Sequence, residues 1–199
     1  MLSDVVRGQI AFWLFATTCV TLHPGFVLRS NEGGLSDYGT HVKTFVPYTL
    51  ALAVSALYSL RAAGYLGHRL EYRALAWTLR SYATLLLLVL TSTYSYSLDR
   101  DWRGVHFTLA IALGLAEVIG VAWIIRTTYR DSLGLAFVAL QWVGVCLLTL
   151  TGFFGVHVLF LTQVVMAAGF GGVVTHTVRR LSSSDRPSPV LAPSPAPLS

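Results

Sequence analysis

The chain has 199 residues, 54% of them hydrophobic and only 12% charged, with a mean hydropathy of +0.64. Soluble domains carry about 25% charged residues, so the composition argues against a water-soluble fold and for an all-α, polytopic membrane protein. The net charge is +5, but the basic residues stand at the edges of apolar runs and form no stripe with interleaved aromatics, which argues against nucleic acid as a partner.

Six apolar segments follow one another, each near the roughly 20 residues that a helix needs to cross a bilayer core. The first spans about 9–28 and is interrupted near its end by Pro24 and Gly25. The preceding MLSDVVRGQ is weakly basic, and no small-x-small site follows the apolar run. The segment is therefore expected to be a mature helix rather than a cleaved signal peptide. The second span covers about 44–63, with Pro47 in its first turn, where a missing N–H is tolerated. The third covers about 78–96, around TLLLLVL, and the fourth about 104–125. The fifth covers about 133–151 and the sixth about 154–178. Residues 1–181 thus read as a six-helix transmembrane bundle. The segment 182–199 holds five of the seven prolines, and its composition reads as a disordered Pro/Ser-rich tail.

Basic residues set the orientation. With the N-terminus inside, ten of the fourteen Lys and Arg fall on the inner side and four on the outer side. Both termini are then cytoplasmic and the protein is a multi-pass component of the plasma membrane. The polar stretch SNEGGLSDYGTHVKT, from Ser30 to Thr44, faces outward. Within it Ser36, Asp37, Gly39 and Thr40 predict a turn, since Asp caps backbone amides and Gly tolerates positive φ. Tyr38, Tyr94, Tyr96, Trp102 and Phe107 are placed at the interfacial level, where membrane aromatics gather.

An ionisable group inside a bilayer costs at least about 2.5 kcal/mol, so each one found there calls for an explanation. Glu117 lies about 20 Å into the fourth span and Gln141 about 12 Å into the fifth. The two depths nearly match from opposite sides, and a Glu117–Gln141 hydrogen bond would fit two antiparallel neighbours. Gln163, about 12 Å into the sixth span, and His157 near its start complete the polar groups expected inside the bundle. Ala112, Ala116 and Gly120 repeat at a spacing of four on one helix face, which favours close helix packing. Cys19 and Cys146 both fall in apolar runs and read as small buried hydrophobes.

Four histidines, His23, His41, His106 and His157, fall near the outer boundary with the acids Glu32, Asp37, Asp99 and Asp101. Histidine and carboxylate together can hold zinc or run acid–base chemistry. No two of these histidines stand at ligand spacing within one helix, and HExxH is absent. No metal, haem or other cofactor and no catalytic set is therefore expected.

The polar loop element Ser36-Asp37-Tyr38-Gly39-Thr40, set between the first two of six helices, resembles the Frag/DRAM/Sfk family of membrane proteins and related bacterial families. In this chain the next proline, Pro47, comes later than is usual for that element. The resemblance implies a lipid-related role and supplies no catalytic residues. The expectation is an integral membrane protein, without catalysis, that binds membrane lipid or a partner protein at its outer face. Ser36, Asp37, Gly39 and His41 shape the binding loop, and a homo-oligomer is a further option. The alternatives are a small proton-coupled transporter using Glu117, an outer-face enzyme with Asp37 and His41 as acid and base, and an accessory subunit of a membrane complex.

Overall fold

The computed structural model describes residues 2–25, 34–68, 70–127, 131–156 and 158–184. Glu32, His157 and the tail beyond Ser184 lie outside the described residues. Among the described residues all regular structure is helical: α1 (Leu2–Leu22), α2 (Asp37–Thr40), α3 (Phe45–Leu66), α4 (Arg73–Leu98), α5 (Arg103–Thr127), α6 (Ser132–Phe154) and α7 (Leu159–Ser184). All but α2 are long and apolar enough to cross a membrane.

The helix ends follow local chemistry. Asp131 caps α6 by accepting from the Gly134 N–H at 2.6 Å, which satisfies one of the orphan donors of a helix start. At the other end Gly155 adopts φ 66°, and its N–H closes on the Leu150 carbonyl. Glycine takes this left-handed conformation without the Cβ clash other residues meet. This stop after Phe154 places the last helix later than hydropathy suggests, at 159 rather than 154. It also runs on to Ser184, past the expected 178. α1 begins well before residue 9, because its polar first turns are packed: Asp4, Val5 and Gly8 are buried. α4 likewise starts at Arg73 rather than 78, and Ala74, Leu75 and Ala76 are buried in its first turns.

Side-chain neighbours fix the topology. Gly8 faces Tyr58 while Cys19 reaches the Thr44 carbonyl, so α1 and α3 are antiparallel. Tyr48 meets Thr93 and Gly67 meets Arg80, which sets α3 against α4. Ser92 meets His106 and Gly120 meets Thr78, which sets α4 against α5. Asp131 meets His176 and Gly144 meets Met166, which sets α6 against α7. The most extensive helix pairs are α6–α7, α1–α3, α3–α4 and α4–α5, and α7 closes the bundle by touching α1 and α5. The six long helices alternate in direction. One end of the bundle therefore carries α2, and the other carries the start of α1 and the end of α7.

α4 is the most enclosed long helix and α6 the least. Leu75, Leu79, Ala83 and Leu86 of α4 form the centre of the core with Val173, Val174 and Phe170 of α7. Large apolar side chains on the outer surface, among them Ile10, Leu14, Leu57, Leu115, Ile119 and Trp142, are exposed. Such a surface suits a hydrocarbon surround, in which packing and polar contacts, not apolar burial, hold helices together.

Candidate functional site

The α2 end is closed by a small plug. The Asp37 N–H donates to the Gly34 carbonyl at 3.1 Å and the Gly39 N–H to the Ser36 carbonyl at 2.9 Å. The Thr40 hydroxyl donates to the Asp37 carbonyl at 2.9 Å. The turn that the Ser-Asp-x-Gly-Thr pattern predicts is thus a single helical turn. It faces into the bundle. Tyr38 is fully enclosed, with its ring 6.2 Å from Phe160 of α7, and its carbonyl accepts the Thr44 hydroxyl at 2.7 Å. A Cβ on Gly39 would stand 2.5 Å from the Tyr48 ring and 2.7 Å from Thr93. Only glycine fits there.

Beneath the plug, hydroxyls and a histidine link α3, α4 and α5. The Thr93 hydroxyl donates to the Val89 carbonyl at 2.8 Å, so it accepts from the Tyr48 O–H at 3.1 Å. The Ser92 hydroxyl lies 2.9 Å from the Val89 carbonyl and is hydrogen-bonded to Nδ1 of His106 at 3.0 Å. His106 therefore joins α5 to α4 through a buried hydrogen bond. From α7, Gln163 Oε1 accepts the Leu35 N–H at 2.5 Å. Gln163 is half-buried and lies about 6 Å from the start of its helix. It is shallower than the 12 Å expected from a span starting at 154, because α7 starts at Leu159.

The expected loop residues divide into two groups. Gly39 is buried and seats the plug. Ser36 and Asp37 are half-buried, and His41 is partly exposed at the rim. Burial raises the Asp37 carboxyl above its ordinary value, and the charge of Arg103 offsets part of that rise. Burial likewise pushes the Tyr38 phenol up to about 12. His41 meets His23 edge to face with ring centres 4.2 Å apart, and its Nδ1 accepts the Lys43 N–H at 3.3 Å. Two of the four outer histidines therefore meet. Among the described residues no three His, Cys, Asp or Glu side chains come together at metal-binding distance.

At mid-bundle Gln141 Nε2 donates to Glu117 Oε2 at 3.3 Å, with both side chains buried. Close to Glu117 the Tyr82 hydroxyl bonds Ser55, and the Tyr82 ring packs on Phe170 at 4.6 Å. Residues from α3 through α7 thus converge at one level. Gln141 Oε1 is buried without a hydrogen-bond partner among the described residues. A Cβ on Gly169 of α7 would meet that oxygen at 2.7 Å and the Gln141 backbone nitrogen at 2.8 Å.

At the opposite end from α2, Asp131 accepts from His176 Nε2 at 3.0 Å and from Arg180. The Gly134 N–H, followed by His176, holds the Asp131 carboxyl below its ordinary value. Sequence reading did not single out this clamp. Its signal was an Asp one residue before a helix, with His and Arg spaced by four on another.

No family model, characterised protein or solved structure matches the chain.

Proposed function

We propose that this is a multi-pass protein of the plasma membrane, with both termini cytoplasmic, that binds membrane lipid headgroups at its outer face through the rim around α2, without catalysis. The observation that carries the reading is the seating of α2. Tyr38 and Gly39 are locked inside the bundle, while Lys43 and Arg103 are exposed at the same end, His41 is partly exposed, and the charge of Arg103 acts on the half-buried Asp37. Cations at such a rim suit a lipid phosphate, and a carboxylate beside them suits a headgroup amine. The excess of basic residues at the other end supports the orientation. The Frag/DRAM/Sfk-like element, Ser36 to Thr40, falls on α2 itself, which agrees with a lipid-related role. Native mass spectrometry on protein extracted gently from its own membrane tests the reading. A retained lipid mass that weakens in Asp37→Ala and Lys43→Ala supports it, a bare chain counts against it, and a heavier protein complex turns the rim into a partner site.

A second reading rests on a separate observation: a buried glutamate at mid-bundle, hydrogen-bonded to Gln141 and near the Tyr82–Ser55 pair. Ionisable groups at such depth often mark proton or ion pathways. On this reading the protein is a small proton-coupled carrier and Glu117 the group that loads and unloads. Transport in vesicles with an imposed pH gradient tests it, and unchanged flux in Glu117→Gln would end it.

A further inference from the structure

The surroundings of Glu117 are polar on one side and apolar on the other. Measured from the bundle end that bears the start of α1, at about 1.5 Å per residue, Tyr82, Gln141, Glu117 and Ser55 all lie about 14–17 Å in. The Tyr82 hydroxyl is hydrogen-bonded to Ser55 and lies within electrostatic reach of Glu117. Next to Ser55 is a cavity of about 10 Å³, the least volume that holds one water. Its lining brings together Gln9 of α1, Ser55 and Ser59 of α3, and Phe170 of α7, on which the Tyr82 ring packs. Ser55 and Ser59 stand one turn apart on the same face of α3. The Gln9 amide rests on Gly171 of α7, where any Cβ would collide with it. Gln9 and Ser59 are partly buried and both lie about 10 Å in. Asp4 is buried about 3 Å in, one turn before Gly8, which also lines the cavity. Its charge acts on the exposed Arg61 of α3. Toward α2, by contrast, the interior is apolar: Leu52 of α3 and Leu86 and Leu90 of α4 are buried core residues. Among the described residues of α3, α4 and α5, the next buried polar side chains in that direction are Tyr48, Ser92, Thr93 and His106, about 10–17 Å further on.

We propose that Glu117 exchanges its proton only with the end of the bundle that bears the start of α1, by way of one water held among Gln9, Ser55 and Ser59. The inference deepens the carrier reading and rests on it in one respect, that Glu117 gains and loses a proton. Water and hydroxyl groups pass protons because each can accept one while giving up another. Leucine side chains can do neither, and an excess proton in the layer toward α2 would meet the cost of charge in hydrocarbon. In the loading step a proton from the adjoining aqueous phase reaches the cavity water and passes by the Ser55 and Tyr82 hydroxyls to the carboxylate, which becomes a neutral acid. Release runs through the same groups in reverse. Gln141 suits both states of the acid. Its Nε2–H donates to the carboxylate, and after rotation of the amide its Oε1, buried without a hydrogen-bond partner among the described residues, can accept the acid O–H. On the orientation proposed above, the side in contact with Glu117 is the cytoplasmic one.

The test uses closed membrane vesicles that carry the full chain in one orientation or the other, and follows the protonated-carboxyl infrared band that Glu117→Gln removes. An acid step is applied outside the vesicles. Where the end bearing the start of α1 faces out, the band should rise promptly. In the opposite orientation it should rise at least tenfold more slowly, until a protonophore lets protons reach the other side. Ser59→Val, which fills the cavity, and Gln9→Leu should each slow the prompt response at least tenfold. Both should reach the same final band, which shows that the fold is intact. Should either variant fail to fold, the sidedness of the unaltered chain still decides. A band that follows the α2 side, or both sides equally, overturns the proposal, as does one that never responds. A response as prompt in both variants as in the unaltered chain also overturns it, because the route then lies elsewhere. The carrier reading is judged separately, by flux. Flux lost in Glu117→Gln with a band that follows the α2 side sinks the route and keeps the carrier. A band that follows the α1 side with flux unchanged keeps the route and sinks the carrier.

Discussion

Gly39 of α2 rests against the ring of Tyr48 on α3 so closely that a single added carbon would stand 2.5 Å from it. The same Tyr48 is hydrogen-bonded to Thr93, which would stand 2.7 Å from that carbon. The plug, α3 and α4 therefore share one contact. Gly39→Ala is expected to unseat α2 at a cost of about 1–3 kcal/mol, the usual range for overpacking. Hydrogen exchange should show the amides of residues 34–44 losing protection while those of α4 keep theirs. Unchanged exchange would show that the plug can shift to accommodate the methyl group.

Two carboxyls should respond to pH in opposite directions. Asp131 is held below its ordinary value, so the unfolded chain binds its proton more readily. The contribution of its clamp to stability is complete above the ordinary value of 3.8 and is lost as pH falls through the lowered one. Asp37 is raised by burial. Its protonated form favours the seated plug below 3.8, and that contribution is lost as pH rises through the raised value. Exchange rates at residues 132–135 should thus increase in acid, and those at 34–44 should increase on leaving it. Asp131→Asn and Asp37→Asn should each remove their own dependence and leave the other.

The Glu117–Gln141 bond can be measured by a double-mutant cycle of Glu117→Leu and Gln141→Leu in a membrane-mimetic unfolding assay. Hydrogen bonds between membrane helices average about 0.6 kcal/mol in such cycles, with a maximum near 1.7. The expected coupling falls in that range. Each single change should cost more than the coupling itself, because it strands a buried polar partner. A coupling indistinguishable from zero would mean that the two groups find other partners.

Two glycines make a contrasting pair. Gly169 faces the backbone of Gln141 at 2.8 Å from a virtual Cβ, and backbone cannot move aside as a flexible side-chain tip can. Gly152 of α6 has open space at the same position. Gly169→Ala should lower stability by about 1–3 kcal/mol, whereas Gly152→Ala should raise it by about 0.5–1 kcal/mol through better helix propensity. Thermal unfolding in one detergent compares them directly.

Much of the architecture was legible in the sequence, because runs of apolar residues as long as a bilayer is thick have few other uses. The level of Glu117 against Gln141 was legible too, since rise per residue fixes depth once helix directions alternate. Helix ends were less so. The halt after Phe154 depends on one glycine taking a positive φ, and the early start of α1 depends on α3 being there to bury Asp4 and Gly8. The inward seating of α2 was not legible at all. Hydropathy marks Ser36 to Thr40 as a polar turn, but the space that admits only Gly39 is made by Tyr48 and Thr93, from two other helices. The Asp131–His176–Arg180 clamp escaped for the same reason: it exists once α6 and α7 are paired, and nothing in either segment taken singly announces it.

The way α6 is held bears on how the chain assembles. Its main surface is α7, and it touches α5 only sparsely. Synthesis delivers α6 first, so for a time it stands in the membrane without the helix that will secure it. Gln141 then has Glu117 within reach on α5, already in place, while the Gly169 surface has yet to arrive. The buried hydrogen bond would thus moor α6 beside the growing bundle until its permanent neighbour is made.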